Sequence, residues 1–266
     1  MQNIKDMEKR IIVIVMMALI VVIALMVTIL VDNSHKVKFE DETMAEMISK
    51  SAGVESVDKF RKDDLEKIEE LNIGYTGYYD TLSDIEKCPN LSSLIIGFPD
   101  CPMSYYPFLG KEMPKSESKE RVKKVEKELE SILEKNPKLT AIYISNEKGN
   151  CELDNIEFLK KGKNLINISL YYQGDIDYSV LSECSELGFL SLRYCKISDL
   201  GMISQLENLK YLDLEGTNVA EAEEILNIKN LNYPDVGIEI TDTPLAENEE
   251  QVELIQNQFP EANIYK

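Results

Sequence analysis

A frame of aliphatic residues spaced L-x-x-L-x-L recurs along most of this chain and fixes what it can fold into. It appears as Ile68, Leu71 and Ile73; Leu91, Leu94 and Ile96; Leu139, Ile142 and Ile144; and Leu165, Ile168 and Leu170. It continues as Leu187, Leu190 and Leu192, then Leu209, Leu212 and Leu214, with a looser copy at Leu231, Pro234 and Val236. The first members lie 23, 48, 26, 22, 22 and 22 residues apart. Each frame also carries apolar positions three, six and nine residues before its first member, such as Cys184, Leu181 and Tyr178 before Leu187. Alternation at period two followed by a spacing of three describes a strand joined to a helical or 3₁₀ turn. One such coil buries about seven apolar side chains at about 2 kcal/mol each, against about 1.5 kcal/mol of ordering entropy for every residue. A single coil therefore cannot fold alone, and the coils must stack cooperatively.

The run Cys195, Lys196, Ile197, Ser198, Asp199 and Leu200, followed by Ile203, Leu206 and Leu209, resembles the leucine-rich repeat of the 22-residue bacterial internalin-like type. The resemblance covers residues 65–240 and implies an α/β fold, a right-handed β-α superhelix with its parallel strands forming a concave sheet. In that family an Asn three places after the last Leu bonds the backbone of the turns. Here Thr76, Pro99, Glu147, Gln173, Cys195 and Thr217 stand there. Thr, Gln and Cys can donate inward, whereas Pro99 cannot and Glu147 is costly to bury, so the ladder is expected to be interrupted at the second and third coils.

Those coils flank the long interval. Residues 98–138 read as an enlarged repeat: an aromatic loop with Tyr105, Tyr106, Pro107 and Phe108, then a helix capped by Ser116 or Ser118. Val122, Val125, Leu129, Ile132 and Leu133 share one face of that helix, which is expected to lie on the convex side; a partner-binding helix is the alternative. Residues 32–64 read as a juxtamembrane segment and an amino-terminal cap, with Met44, Met47 and Ile48 on one helical face; 65–245 hold the repeats and 246–266 a carboxy-terminal cap. That last cap is expected to hold a helix from Glu247 to Phe259 and a short strand from Ala262 to Ile264.

Twenty-one uncharged residues, Ile11 to Val31, are long enough to cross a hydrocarbon core of about 30 Å and read as a transmembrane signal anchor contacting the lipid bilayer. Lys5, Lys9 and Arg10 before the span outnumber Lys36 and Lys38 after it, which favours residues 1–10 as a cytoplasmic tail and an extracellular carboxy-terminal domain at the cell membrane. The formal net charge of −19 argues against nucleic acid as a partner and towards a neutral or cationic one.

Five cysteines and a single histidine, His35, offer no zinc spacing, so no metal and no cofactor are expected. Cys88 and Cys184 occupy apolar positions of the coils, and Cys195 takes the ladder position. Cys101 and Cys151 follow the strands of neighbouring coils by five and seven residues, a spacing compatible with a disulfide as well as with two thiols. Nucleophile-elbow, phosphate-loop and zinc-hydrolase signatures are absent from the sequence, and the chain is not expected to be an enzyme.

Function is expected on the concave sheet. The column before the second apolar position runs Glu70, Ser93, Ala141, Asn167, Phe189, Tyr211, Tyr233, and three aromatics about 4.8 Å apart should stack as a ribbon. Tyr143, Tyr171, Arg193, Asp213, Glu215 and Asp235 fall beside it. Phe189, Tyr211, Tyr233, Tyr143, Tyr171, Arg193 and Asp213 are the candidate ligand-binding set, in a composition suited to protein binding. A carbohydrate- or cell-wall-binding module, a structural scaffold, and a cytoplasmic regulator if the topology is reversed are the alternatives.

Overall fold

The computed structural model describes residues 15–26, 35–97, 119–147, 151–228, 231 and 236–266. Eight strands form one parallel sheet in strict chain order: β1 (Glu70–Gly74), β2 (Ser93–Ile96), β3 (Ala141–Ser145), β4 (Asn167–Tyr171), β5 (Phe189–Ser191), β6 (Tyr211–Asp213), β7 (Gly237–Glu239) and β8 (Asn263–Tyr265). The register aligns the middle residue of every frame. Leu71 faces Leu94, then Ile142, Ile168, Leu190, Leu212, Ile238 and Ile264 follow across the sheet. All but Ile264 at the outer edge are fully buried. Identical spacing in sequence thus becomes a continuous wall of aliphatic side chains perpendicular to the strands.

The other half of each coil is a 3₁₀ turn, at Ser83–Lys87, Glu157–Lys161, Ser179–Glu183 and Gly201–Gln205. The residues spaced by three, including Leu82, Ile85 and Cys88 or Leu200, Ile203 and Leu206, point into the same core.

The last copy of the frame is corrected by the register. Gly237, 26 residues after Tyr211, is its neighbour across the sheet, and Ile238 and Ile240 take the places anticipated for Pro234 and Val236. Gly237 takes the place in the concave column anticipated for Tyr233, which itself lies outside the described residues. This coil is four residues longer than the one before it: its turn, a turn of α-helix at Glu223–Leu226, keeps Ala222, Ile225, Ile228 and Leu231 buried at their anticipated phase, and the extra residues come between Leu231 and Gly237.

Two helices complete the flanks. Helix α1 (Glu42–Ser51) starts at Asp41, whose carboxylate accepts from the Met44 amide at 2.7 Å, and it buries Met44, Met47 and Ile48 against the first coil. Helix α2 (Lys119–Lys135) packs against the turns at Ser83–Lys87 and Glu157–Lys161 and buries Val122, Val125, Leu129, Ile132 and Leu133. It fills the convex layer of the enlarged repeat, so its apolar stripe is spent on its own domain rather than left for a partner. After α3, the turn at Glu223–Leu226, helix α4 (Glu249–Gln258) leads into β8, close to the bounds read from the sequence.

Residues 15–26 are helical, and ten large apolar side chains from Val15 to Met26 are exposed. Among the described residues no helix is long and apolar enough to cross a membrane. The remainder of the Ile11–Val31 run, with residues 11–14 and 27–31, lies outside them.

Candidate interaction surface on the concave sheet

Strand alternation sends every second residue away from the core, and parallel register lines those residues up in columns. In the first column, Phe189 faces Tyr211 and their rings stack with centroids 4.7 Å apart and planes 6° apart. This distance is the strand spacing itself. The ribbon stops there: a Cβ placed on Gly237 would lie 2.6 Å from two Tyr211 ring carbons, so the ring lies directly over the glycine backbone. The stack is two rings long instead of the three anticipated, and glycine is what admits its second member. Burial raises the Tyr211 pKa first, with the charges of Asp213 and Glu239 adding to it.

The second column runs Tyr143, Ser169, Ser191 and Asp213. The two serines are fully buried and Asp213 is only 1% exposed. Asp213 Oδ2 accepts from Ser191 Oγ at 3.0 Å and from Arg193 Nε at 2.6 Å, while Oδ1 accepts from the Glu215 amide at 3.2 Å. The Tyr143 hydroxyl accepts from Asn167 Nδ2 at 3.0 Å.

In the third column Arg193 holds the coils together. Its Nη1 lies 2.9 Å from Glu215 Oε2, and the guanidinium sits 5.8 Å from the centroid of the Tyr171 ring. Burial opposes the Arg193 charge, but the hydrogen bond and field of Asp213, with Tyr171 and Glu215, raise its pKa above the ordinary value. The structure therefore brings Phe189, Tyr211, Tyr143, Tyr171 and Arg193 onto one surface. Asp213 lies beneath it, as the carboxylate that fixes Arg193.

One residue beyond this column lies a pair the frame alone does not reveal. Tyr172 and Tyr194 stack with centroids 4.8 Å apart and planes 7° apart. Both have left-handed backbones, with φ of 59° and 55°, as do Gly216 at 66° and Asp242 at 59° at the same phase of the next coils. Such a backbone costs a bulky residue about 1–3 kcal/mol, sustained here by the strand-exit hydrogen bonds from Tyr172 N to Arg193 O and Tyr194 N to Glu215 O. The readable signal was Gly216, a glycine 22 residues after Tyr194 at a strand exit.

The inward ladder is built as the sequence suggested where it can be followed. Gln173 accepts from the Leu153 amide at 3.0 Å and donates to Cys151 O at 3.1 Å, Cys195 donates to Leu170 O at 3.1 Å, and Thr217 donates to Leu214 O at 2.8 Å. Thr243 repeats the last bond at 2.6 Å to Ile240 O. In the third coil Glu147 stays half-buried, and the side-chain Oδ1 of the neighbouring Asn146 accepts from the Cys151 amide at 3.1 Å. Pro99 and Cys101 lie outside the described residues, so the Cys101–Cys151 pairing does as well. Cys88, Cys184 and Cys195 are buried thiols.

The recurring frame, the parallel sheet in chain order and the convex turns define a leucine-rich-repeat solenoid. No family model and no curated protein matches the chain. Solved structures resembling it include internalin C2 of Listeria monocytogenes, 18% identical with a TM-score of 0.48 over 77% of this chain and 86% of that one. InlP of the same organism is 14% identical with a TM-score of 0.43, over 77% of this chain and 58% of that one. A leucine-rich-repeat protein of Leptospira interrogans is 15% identical with a TM-score of 0.34, over 77% and 62%. The fold assignment rests on the frame and its register rather than on these likenesses.

Proposed function

We propose that this chain is a membrane-anchored, surface-displayed, non-catalytic protein that binds another protein through its concave sheet. The observation that carries this reading is the stacked Phe189–Tyr211 pair beside a pre-formed Arg193–Asp213–Glu215 network. Side chains already locked by neighbours lose little entropy on binding, and Tyr and Arg dominate the energetics of protein interfaces.

The carbohydrate reading fits this geometry less well. A sugar stacks on a ring face, and the Tyr211 ring has one face on Phe189 and the other on Gly237. The anchor is supported by the uncharged run from Ile11 to Val31 and by the apolar exposure of residues 15–26, which lipid would cover. Labelling of exposed lysines on intact cells distinguishes outward from cytoplasmic display.

Phe189→Ala combined with Tyr211→Ala should weaken capture of the natural protein partner by about tenfold or more while leaving urea unfolding of the domain cooperative. Unchanged capture by a folded double variant removes the concave surface from the binding site. A glycan array that lights up with the parent chain would return the carbohydrate reading.

A further inference from the structure

At the strand exits, Tyr172 and Tyr194 are 38% and 37% exposed, among the few large aromatics of the solenoid that face solvent to this extent. Both faces of the Tyr194 ring are occupied, one by Tyr172 and the other by Gly216, where a Cβ would come within 2.2 Å of the ring. The surface they offer is a ridge of ring edges and hydroxyls. The Tyr194 hydroxyl donates to Glu215 Oε1 at 2.9 Å and keeps its own oxygen as an acceptor, and the Tyr172 hydroxyl has no hydrogen-bond partner among the described residues.

The charges around the ridge are one-sided. Glu147 and Glu215 act electrostatically on Tyr172, and Glu215 and Asp242 act on Tyr194. Arg193 is the cation felt by Tyr172, and its guanidinium is already committed to Asp213 and Glu215. An anionic partner would meet net negative charge here, whereas a cationic one is drawn in. Long basic side chains suit the shape too, because their aliphatic stems pack along ring edges while their heads reach carboxylates.

We propose that the Tyr172–Tyr194 ridge, with Glu147, Glu215 and Asp242, docks a lysine- or arginine-bearing segment of a protein partner. This rests on reading the chain as a protein-binding solenoid and specifies the partner's chemistry and a second contact surface beside the concave ribbon. The segment runs along the stacking direction of the coils, crossing the strand exits.

The test uses the full chain in detergent micelles and a fluorescein-labelled oligolysine peptide followed by fluorescence anisotropy. Tyr172→Asn with Tyr194→Asn removes both rings and keeps a residue type that tolerates the left-handed backbone; it should weaken the peptide by about tenfold. Asp242→Asn should weaken it severalfold and flatten its salt dependence. Glu249→Gln with Glu250→Gln, removing charge on the distant cap helix, should stay within about twofold of the parent. The proposal is overturned if the parent chain does not bind the peptide, if the tyrosine variant binds like the parent, or if the cap-helix variant loses as much as the tyrosine one. Should the double tyrosine variant fail to unfold cooperatively in urea, Tyr172→Asn alone serves, with about threefold weakening expected and parental affinity overturning the idea. Each of these outcomes is separate from capture of the natural partner by the Phe189→Ala, Tyr211→Ala variant, on which the general protein-binding reading stands or falls.

Discussion

Asp213 occupies a position that alternation marks as solvent-facing, yet it is almost wholly buried and holds three donors on its two oxygens. Asp213→Ala strands a half-buried guanidinium and the Ser191 hydroxyl together, and should lower unfolding free energy by about 2–4 kcal/mol in urea titrations. An effect within experimental error would mean that Arg193 is held by Glu215 alone. The buried thiols make a second residue-scale prediction. Burial pushes the Cys88 pKa up to about 12 and those of Cys184 and Cys195 to about 11, from an ordinary 9.0. Raised folded-state values mean that these groups favour the native state below pH 9, and that this contribution is lost as pH rises towards 11 and 12, because the unfolded thiols ionise first. Stability should decline across that window, and Cys88→Ala with Cys184→Ala should flatten the decline. The inward pointing of these cysteines was legible from their phase in the repeat; the side-chain partners of Asp213, Ser191 and Arg193, were not, since they come from the preceding coil.

At the scale of elements, helix α2 shows where periodicity suffices and where it fails. Its apolar face could be read from the spacing of Val122, Val125, Leu129, Ile132 and Leu133, and all five are buried. Glu126, placed by the same spacing among polar residues, is only 8% exposed. Its Oε1 accepts the amides of Asp154 and Asn155 at 2.7 and 2.9 Å, and its Oε2 accepts from Asn155 Nδ2 at 3.0 Å. The carboxylate thus satisfies the amides of the turn that opens the next coil. Glu126→Ala should cost about 2–3 kcal/mol and increase amide hydrogen exchange at Asp154 and Asn155; unchanged protection there would contradict the role. Asp84 does the equivalent work at the other flank. It accepts both the Glu40 and Asp41 amides, at 2.9 Å each for Oδ2, and pairs with Lys87, pinning the cap to the first turns.

For the whole molecule, the consequence of stacking is that no coil owns its core. Leu190 is fully buried between Ile168 and Leu212, so its contacts belong to three coils at once. Leu190→Ala should lower stability by about 2–5 kcal/mol and shift one cooperative transition rather than split it. Two resolved transitions by circular dichroism would show that the coils melt independently.

What the sequence by itself determined is whatever repeats locally: the strand and turn within each coil and the residues that face the core. These follow because burial of apolar side chains obeys the period of the backbone that carries them. Only the tertiary structure decided that Gly237 lies beside Tyr211, that Asp213 is buried beneath Arg193, and that Tyr172 stacks on Tyr194. Each of these depends on the length of an intervening turn or on a side chain from another coil. Such information resides in the distance between coils and in no single stretch of sequence.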